Sequence, residues 1–193
     1  AGHDTIVAPM YLPLMTERSD ADHAEPVFFG GVNVYLQQKF GLFRHTPRWL
    51  DRWLDSPRLL RLVARRAGMT DAPDLAETTL SMLRGEDGRQ VKELDRLVDW
   101  LVGEARPDVV YLSNALLVGL VRRIKQRLKV PVVCTLQDEH TFLDALIEPH
   151  RTKAWAAVIE RSAEVDAFLA VSGAYADTMR ERMTLPAGRV HVC

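Results

Sequence analysis

The chain has 193 residues with a net charge of −1, and 47% of its residues are hydrophobic while 26% are charged. This length fits one domain with a sizeable core, and the near-neutral charge excludes the global basic field of many nucleic-acid-binding proteins. No apolar run reaches the roughly 18 residues that a membrane-spanning helix needs. The two cysteines, Cys134 and Cys193, do not make a disulfide framework, so we expect a reducing compartment.

The first third of the chain predicts a strand, a hairpin and two helices. The apolar run Thr5–Ala8 ends at Pro9 and predicts a strand. The pair Gly30–Gly31 lies between two apolar runs and is typical of a hairpin turn. We prefer a turn to a phosphate-binding loop because the pattern is not G-x-G-x-x-G and no helix follows directly. Thr46–Pro47 and Ser56–Pro57 each place a capping side chain before a Pro, which predicts two helix starts.

The segment 44–66 is basic and contains two tryptophans. It holds seven Arg against two Asp, and Trp49 and Trp53 lie one helical turn apart. A basic face with Trp is how a helix lies on an anionic membrane surface. The alternative, which we prefer, is that Trp49, Trp53 and the leucines pack onto the sheet while the arginines face solvent.

Helices are predicted near 74–84 and 88–104, separated by "RGEDG". From Pro107 onward, strands alternate with helices. The strands are "PDVVYLSN", "VPVVCTL", "VDAFLAVS" and the start of "GRVHVC"; the helices are "ALLVGLVRRIKQRL", residues 150–163 and "GAYADTMRERM". Alternation of this kind, with strands that are apolar throughout, predicts an α/β fold with a Rossmann-like open parallel sheet and helices on both faces.

Polar and small residues follow three of these strands. In open parallel sheets, ligands bind outside the carboxyl ends of the strands. We therefore expect a polyol or phosphate to be hydrogen-bonded there; the candidate residues are Ser113, Asn114, Gln137, Asp138, Glu139, Ser172 and Gly173. The alternative for Asn114 and Ser172 is that they cap the following helices, and a cap can coexist with a ligand contact.

The run Gln137 to His140 contains residue types that bind metals or transfer protons. With Asp144, the Asp, Glu and His of this run could be metal ligands, but consecutive side chains diverge, and we expect no metal site. A paired-carboxylate hydrolase would need two carboxyls converging from different elements. We predict instead a cleft-lining loop in which Gln137 and Asp138 hydrogen-bond a sugar, with His140 outside the site.

The order and spacing of five segments carry a family resemblance over nearly the whole chain. They are "GHDTIVAP", "PDVVYLSN", "VPVVCTLQDEHTF", "VDAFLAVSGAYADTM" and "RVHV". Together they resemble the N-terminal half of GT-B glycosyltransferases of the retaining, family-four type. "FFGGVNVYLQQKFGLFRHTP" is similar to a segment found in a subgroup of that family.

The resemblance implies a function and a domain organisation. The family has two Rossmann-like domains facing a cleft: the N-terminal one mostly binds the acceptor, and the C-terminal one holds the nucleotide-sugar. Residues 1–193 would then be a single acceptor-side domain, truncated at both ends and inactive alone, with the donor domain absent. The whole enzyme would move a sugar from a nucleotide-sugar to a glycan, lipid or small-molecule acceptor. The nucleotide-sugar is a co-substrate, and neither a cofactor nor a metal is expected, because basic side chains and helix N-termini stabilise the leaving diphosphate.

Two departures from the family pattern lead to expectations. The family begins with a strand and a Gly-rich loop that this chain lacks, so Thr5–Ala8 should pair directly with Val109–Leu112 or leave an open gap with unpaired edges. At the family's His-Asp, this chain has Gln137 and Asp138. Gln cannot act as an acid or base, although it hydrogen-bonds sugar hydroxyls.

Two alternatives to the transferase stay open. One is a non-enzymatic α/β module that binds a sugar or a partner protein. The other is a GT-B sugar-nucleotide epimerase, which would need an acid–base pair in the cleft and is disfavoured by Gln137. For the transferase we expect a cytoplasmic protein without nucleic-acid partners. Peripheral membrane contact through residues 44–66 is compatible with the transferase and with both alternatives.

Overall fold

The computed structural model describes residues 2–8, 10 and 72–193. The predictions for Gly30–Gly31, Thr46–Pro47, Ser56–Pro57 and the basic segment 44–66 lie outside the described residues and stay predictions.

The described residues contain six α-helices and four strands, and from residue 107 onward strands alternate with helices in the predicted order. The helices are α1 Ala72–Leu83, α2 Val91–Trp100, α3 Val121–Leu128, α4 Glu139–Asp144, α5 His150–Ser162 and α6 Gly173–Met183. The strands are β1 Val110–Leu112, β2 Val132–Leu136, β3 Ala167–Ala170 and β4 Val190–Val192. Short 3₁₀ helices span Gly85–Asp87, Ala115–Leu120 and Ala187–Arg189, and Leu101–Ala105 is a π-helical turn.

The four strands form one parallel sheet in the order β1-β2-β3-β4. The register pairs Leu112 with Cys134, and Leu136 with Ala170. In β2, Cys134 and Leu136 are fully buried, and Thr135, whose side chain points to the other face, is only 5% exposed. A strand buried on both faces is typical of parallel sheets covered by helices. The predicted Rossmann-like α/β class is confirmed.

The predicted strand at Thr5–Ala8 is wrong. Residues 2–8 adopt no regular structure, and the side chains of Ile6 and Val7 are 53% and 66% exposed. Direct pairing of this run with β1 is also wrong, because among the described residues β1 pairs with β2 alone and forms an edge of the sheet. An apolar run becomes a strand only where a neighbouring strand takes up its backbone hydrogen-bonding groups, and no local pattern reveals that neighbour.

The segment after β1 begins as a 3₁₀ helix rather than as the predicted α-helix, and two glycines bring it close to the end of α1. A Cβ added to Gly119 would lie 2.0 Å from the carbonyl oxygen of Met82, at the end of α1. A Cβ added to Gly85, which has φ +59°, would lie 2.1 Å from the carbonyl oxygen of Gly119. The backbones of these segments therefore touch directly, as only glycine permits.

A buried guanidinium joins the turn after α1 to two other helices. Arg161 of α5 is 3% exposed, and its Nη1 and Nη2 lie 2.7 Å from Glu86 and 3.1 Å from Asp87. Arg122 of α3 pairs with Glu86 at 3.2 Å and with Glu164 at 2.6 Å. Burial alone would raise the pKa of Glu86, but the hydrogen bond from Arg161 holds it below its usual value. This ion cluster stabilises the packing of α3 and α5 around the 3₁₀ helix Gly85–Asp87.

Among the helices of the described residues, none combines the length and the apolar character needed to cross a membrane.

Candidate functional site

The polar segments predicted from sequence follow three adjacent strands. Because β1, β2 and β3 are parallel neighbours, their carboxyl ends lie at one edge of the sheet. The residues placed directly after these ends are Ser113, Asn114, Gln137, Asp138, Glu139, Ser172 and Gly173. The segments therefore lie close together, although their binding roles stay predictions.

Glu139 differs from its neighbours because its side chain points into the protein. It is 3% exposed. Its Oε1 accepts a hydrogen bond of 2.9 Å from the backbone N–H of Ala115. Its Oε2 accepts hydrogen bonds from the N–H of Gln137, at 2.7 Å, and from the hydroxyl of Tyr175, at 2.8 Å. One carboxylate thus joins the segments after β1 and β2 to helix α6. These contacts are structural, and they leave the predicted substrate contact of Glu139 untested.

The Glu139 carboxylate also changes the acidity of two neighbours. Burial, and then the hydrogen bond to Glu139, raise the pKa of the Tyr175 hydroxyl well above its usual value. Burial, and then the negative charge of Glu139, raise the pKa of the Cys134 thiol. In each case the neutral form is favoured, because ionisation would place a second negative charge in a water-poor region. Tyr175 therefore stays a hydrogen-bond donor, and Cys134 stays a thiol.

Gln137 and Asp138 are the exposed residues of the β2 end. The side chain of Asp138 is 72% exposed, and its backbone is left-handed, with φ 62°. Asp tolerates this conformation better than most residues do. Its Oδ1 accepts a 2.7 Å hydrogen bond from the hydroxyl of Thr141. The predicted loop is short, because helix α4 begins at Glu139.

His140 lies beside the side chains of Asp138 and Tyr175, and the expectation that it takes no part in the binding site stays a prediction. Its Nδ1 lies 3.3 Å from Oδ1 of Asp138, without the geometry of a hydrogen bond. Its ring centroid is 5.4 Å from that of Tyr175, at an interplanar angle of 46°. His140 therefore packs between the exposed carboxylate of Asp138 and the ring that supports Glu139.

The capping prediction is confirmed for both candidate residues. Oδ1 of Asn114 accepts a 3.0 Å hydrogen bond from the N–H of Leu116, and Oγ of Ser172 accepts one of 3.2 Å from the N–H of Tyr175. These side chains satisfy backbone donors that the first turn of a helix leaves unpaired. Ser113 and Gly173 are exposed, and a Cβ added to Gly173 would meet nothing within 4 Å.

Asp144 does not turn toward this edge. It accepts hydrogen bonds from Nε1 of Trp155, at 2.9 Å, and from Nη1 of Arg182, at 2.5 Å, so it ties α4 to α5 and α6. Within residues 2–8, 10 and 72–193, no three His, Cys, Asp or Glu side chains form a group that could hold a metal ion. The expectation of a metal-free reaction is a separate matter and stays a prediction.

The sequence did not single out Tyr175 or the amide of Ala115. Tyr175 lies 36 residues from Glu139 in the chain, and Ala115 lies 24 residues from it. No local pattern connects residues so far apart. The only hint is that Tyr175 follows the capping Ser172 by three positions, so the cap holds the backbone of Tyr175 in place.

The fold and the edge together define a class: a Rossmann-like α/β domain with capped helices and exposed polar side chains at the carboxyl ends of its strands. The family model of the glycosyl transferase 4-like domain matches residues 2–193, and the chain belongs to that family. It is therefore a glycosyltransferase domain, and the resemblance to GT-B glycosyltransferases is confirmed at this level. No curated protein matches the chain.

Proposed function

We propose that the chain is the acceptor-side domain of a retaining glycosyltransferase that moves a sugar from a nucleotide-sugar to a glycan, lipid or small-molecule acceptor. The observation that supports this most is the pair Gln137 and Asp138. Both are exposed at the carboxyl end of the buried strand β2, directly before the internally bonded Glu139. Sugar hydroxyls are donors and acceptors at once, and an amide next to a carboxylate matches them.

The chemistry follows from these two side chains. Gln137 donates and accepts hydrogen bonds but exchanges no proton, so its role is to orient hydroxyl groups. Asp138 accepts hydrogen bonds, and an ionised acceptor makes them stronger. Asn114 and Ser172 border the same edge. We assign the stabilisation of the leaving diphosphate to basic groups and helix N-termini of the donor domain, without a cofactor or metal.

The test uses the full-length protein with Gln137→Ala and Asp138→Ala. Transfer is followed as release of nucleoside diphosphate from a panel of UDP-, GDP- and ADP-sugars, with oligosaccharide, lipid and small-molecule acceptors. We expect kcat/KM to fall roughly 10- to 100-fold in each variant, the loss that follows when one hydrogen bond to a charged or strongly polar group is removed. The melting temperature should change little in Gln137→Ala because that side chain is exposed, and it should fall slightly in Asp138→Ala because Ala tolerates the left-handed backbone at φ 62° less well than Asp.

Matched controls are Gln126→Ala and Asp177→Ala, which remove the same side chains from exposed positions on α3 and α6. Neither control should alter transfer. Wild-type turnover in both Gln137→Ala and Asp138→Ala would remove this edge from the site. Sugar binding without any release of nucleoside diphosphate would favour the non-enzymatic module.

Two further outcomes belong to the proposal. The product should keep the anomeric configuration of the donor, which proton NMR of the product reads directly; inversion would contradict the retaining mechanism. Residues 1–193 alone should show no transfer, because the family resemblance assigns donor binding to a second domain. We also propose a cytoplasmic location, and co-sedimentation with anionic vesicles at low and high salt tests peripheral contact through residues 44–66.

A further inference from the structure

We propose that Glu139 is a positioning residue: its buried carboxylate holds the segments after β1 and β2 in one fixed arrangement, on which substrate contacts by Asn114 and Gln137 depend. The coupling stands on the contacts of Glu139 alone. The consequence for sugar transfer rests on the proposed function.

Three donors share the Glu139 carboxylate. Glu139 accepts from Ala115 N–H, Gln137 N–H and the Tyr175 hydroxyl, at 2.7 to 2.9 Å. An ionised carboxylate has two accepting oxygens and can serve all three, whereas an amide has one accepting oxygen and an NH₂ group that only donates. The N–H of Ala115 donates to Oε1 and the N–H of Gln137 donates to Oε2. A Gln side chain at this position could therefore not accept from both backbone amides.

The two backbone amides lie in the predicted binding segments after β1 and β2. Ala115 directly follows Asn114, and Gln137 directly follows the last residue of β2. Both predicted binding segments therefore leave the sheet from points fixed by the same side chain. If the carboxylate is lost, the two segments lose the hydrogen-bond acceptor that they share, and the distance between Asn114 and Gln137 is no longer fixed.

Tyr175 links the Glu139 carboxylate to the segment after β3. The Tyr175 hydroxyl bonds Oε2, and the N–H of Tyr175 bonds the capping Ser172. The segment after β3 is therefore attached to the same group through one residue. The left-handed backbone of Asp138 lies between the Gln137 amide and the Thr141 hydroxyl, each held by an acidic side chain. A conformation of this kind persists only where its surroundings hold it.

The experiment compares Glu139→Gln with Glu86→Gln in the full-length protein. Glu86 supplies a matched control, since it is a partly buried glutamate whose partners are Arg122 and Arg161 rather than the amides of the sheet edge. Tyr175→Phe removes one of the three donors and leaves both backbone bonds. Glu139→Asp keeps the charge but shortens the side chain, and it serves if Glu139→Gln does not fold.

The first measurement is amide hydrogen exchange by mass spectrometry, on peptides that cover residues 113–117 and 135–139. Glu139→Gln should accelerate exchange in both peptides, and Glu139→Asp should accelerate it in at least one. Tyr175→Phe should accelerate exchange less than either Glu139 variant does. Glu86→Gln should leave both at the wild-type rate. Unchanged exchange in both peptides of the Glu139 variants would overturn the coupling.

The second measurement is transfer with the same nucleotide-sugar panel. We expect Glu139→Gln to lower kcat at saturating substrate by about 10-fold or more, because misplaced groups lose transition-state contacts. Glu86→Gln, compared at a temperature equally far below its melting point, should retain wild-type kcat. Faster exchange with unchanged kcat would overturn the positioning role alone. Wild-type transfer by Gln137→Ala and Asp138→Ala would instead overturn the proposed site, while the exchange data would still decide the coupling.

Discussion

The hydroxyl of Tyr175 donates a hydrogen bond of 2.8 Å to Oε2 of Glu139, and this bond ties helix α6 to the end of strand β2. The same oxygen accepts from the N–H of Gln137 at 2.7 Å. A phenol and a backbone amide therefore share one buried acceptor. The arrangement requires a neutral Tyr175, because a phenolate next to the carboxylate would repel it.

This requirement predicts how stability depends on high pH. Burial and the bond to Glu139 raise the pKa of Tyr175 above the ordinary value of 10.0. A raised pKa means that the folded protein holds the proton longer than the unfolded chain does. The stabilisation is complete below pH 10 and is lost as pH rises above it. Between pH 9.5 and 11, we expect the free energy of unfolding to decrease less in Tyr175→Phe than in the wild type. By pH 11 the two decreases should differ by about 1 kcal/mol.

Urea unfolding at four or five pH values through this window measures the difference. Tyr175→Phe should be less stable than the wild type at pH 7, by about 1 kcal/mol, because Glu139 loses one donor. Parallel pH profiles for the two proteins would show that Tyr175 does not ionise differently in the folded state.

The two cysteines should differ strongly in reactivity. Burial and the charge of Glu139 raise the pKa of Cys134, whereas Cys193 is exposed. Only the thiolate reacts with iodoacetamide, so Cys134 should be alkylated more than about 10-fold more slowly than Cys193 at pH 8 in the folded protein. Peptide mapping after timed labelling gives both rates in one sample. In 6 M guanidinium the two rates should converge; equal rates in the folded protein would contradict the burial of Cys134.

Asp166 should contribute to stability at neutral pH and lose that contribution in acid. Burial would raise its pKa, but hydrogen bonds of 2.7 Å from Nζ of Lys125 and from the N–H of Val132 hold the pKa below its usual value. A lowered pKa stabilises the fold above the unfolded value near 4, and the contribution is lost as pH falls through the folded value. Because the side chain is 42% exposed, we expect Asp166→Asn to reduce the unfolding free energy at pH 7 by only about 0.5–1 kcal/mol.

The deficit of Asp166→Asn should shrink between pH 4 and 2, as the wild-type carboxylate takes up its proton. Chemical denaturation at pH 7, 4 and 2.5 tests this. Asp177→Asn is the control, since Asp177 is 73% exposed and pairs with Arg180 within one helix turn. A deficit for Asp166→Asn that stays constant down to pH 2.5 would contradict the lowered pKa.

A methyl group at Gly119 should destabilise the domain. The added Cβ would lie 2.0 Å from the Met82 carbonyl oxygen, and both groups belong to backbone that cannot turn away. Gly119→Ala should therefore lower the free energy of unfolding by about 1–3 kcal/mol or more, as overpacking does. Gly103→Ala is the matched control, because its Cβ would meet nothing within 4 Å. Similar melting temperatures for the two variants would show that α1 and the segment 115–120 are not in backbone contact.

The strand and helix order from residue 107 onward was predictable because it rests on short-range properties. An apolar run such as Val132–Leu136 has few ways to be buried except as a strand covered on both faces. Capping by Asn114 and Ser172 was foreseeable as the alternative to a ligand contact, because a short oxygen-bearing side chain before a helix reaches the free amides of the first turn of that helix. The position of these residues at the carboxyl edge of the sheet then follows from the parallel arrangement of the strands.

The sequence by itself therefore determined the fold class, the candidate caps and the edge at which the polar residues collect. Only the tertiary structure decided that Glu139 points inward while Asp138 points to solvent, that His140 packs on Tyr175, and that Thr5–Ala8 forms no strand. The physical reason is the same in each case. These outcomes depend on partners tens of residues away, such as Ala115 and Tyr175 for Glu139, and a local pattern carries no information about a partner that only folding brings into contact.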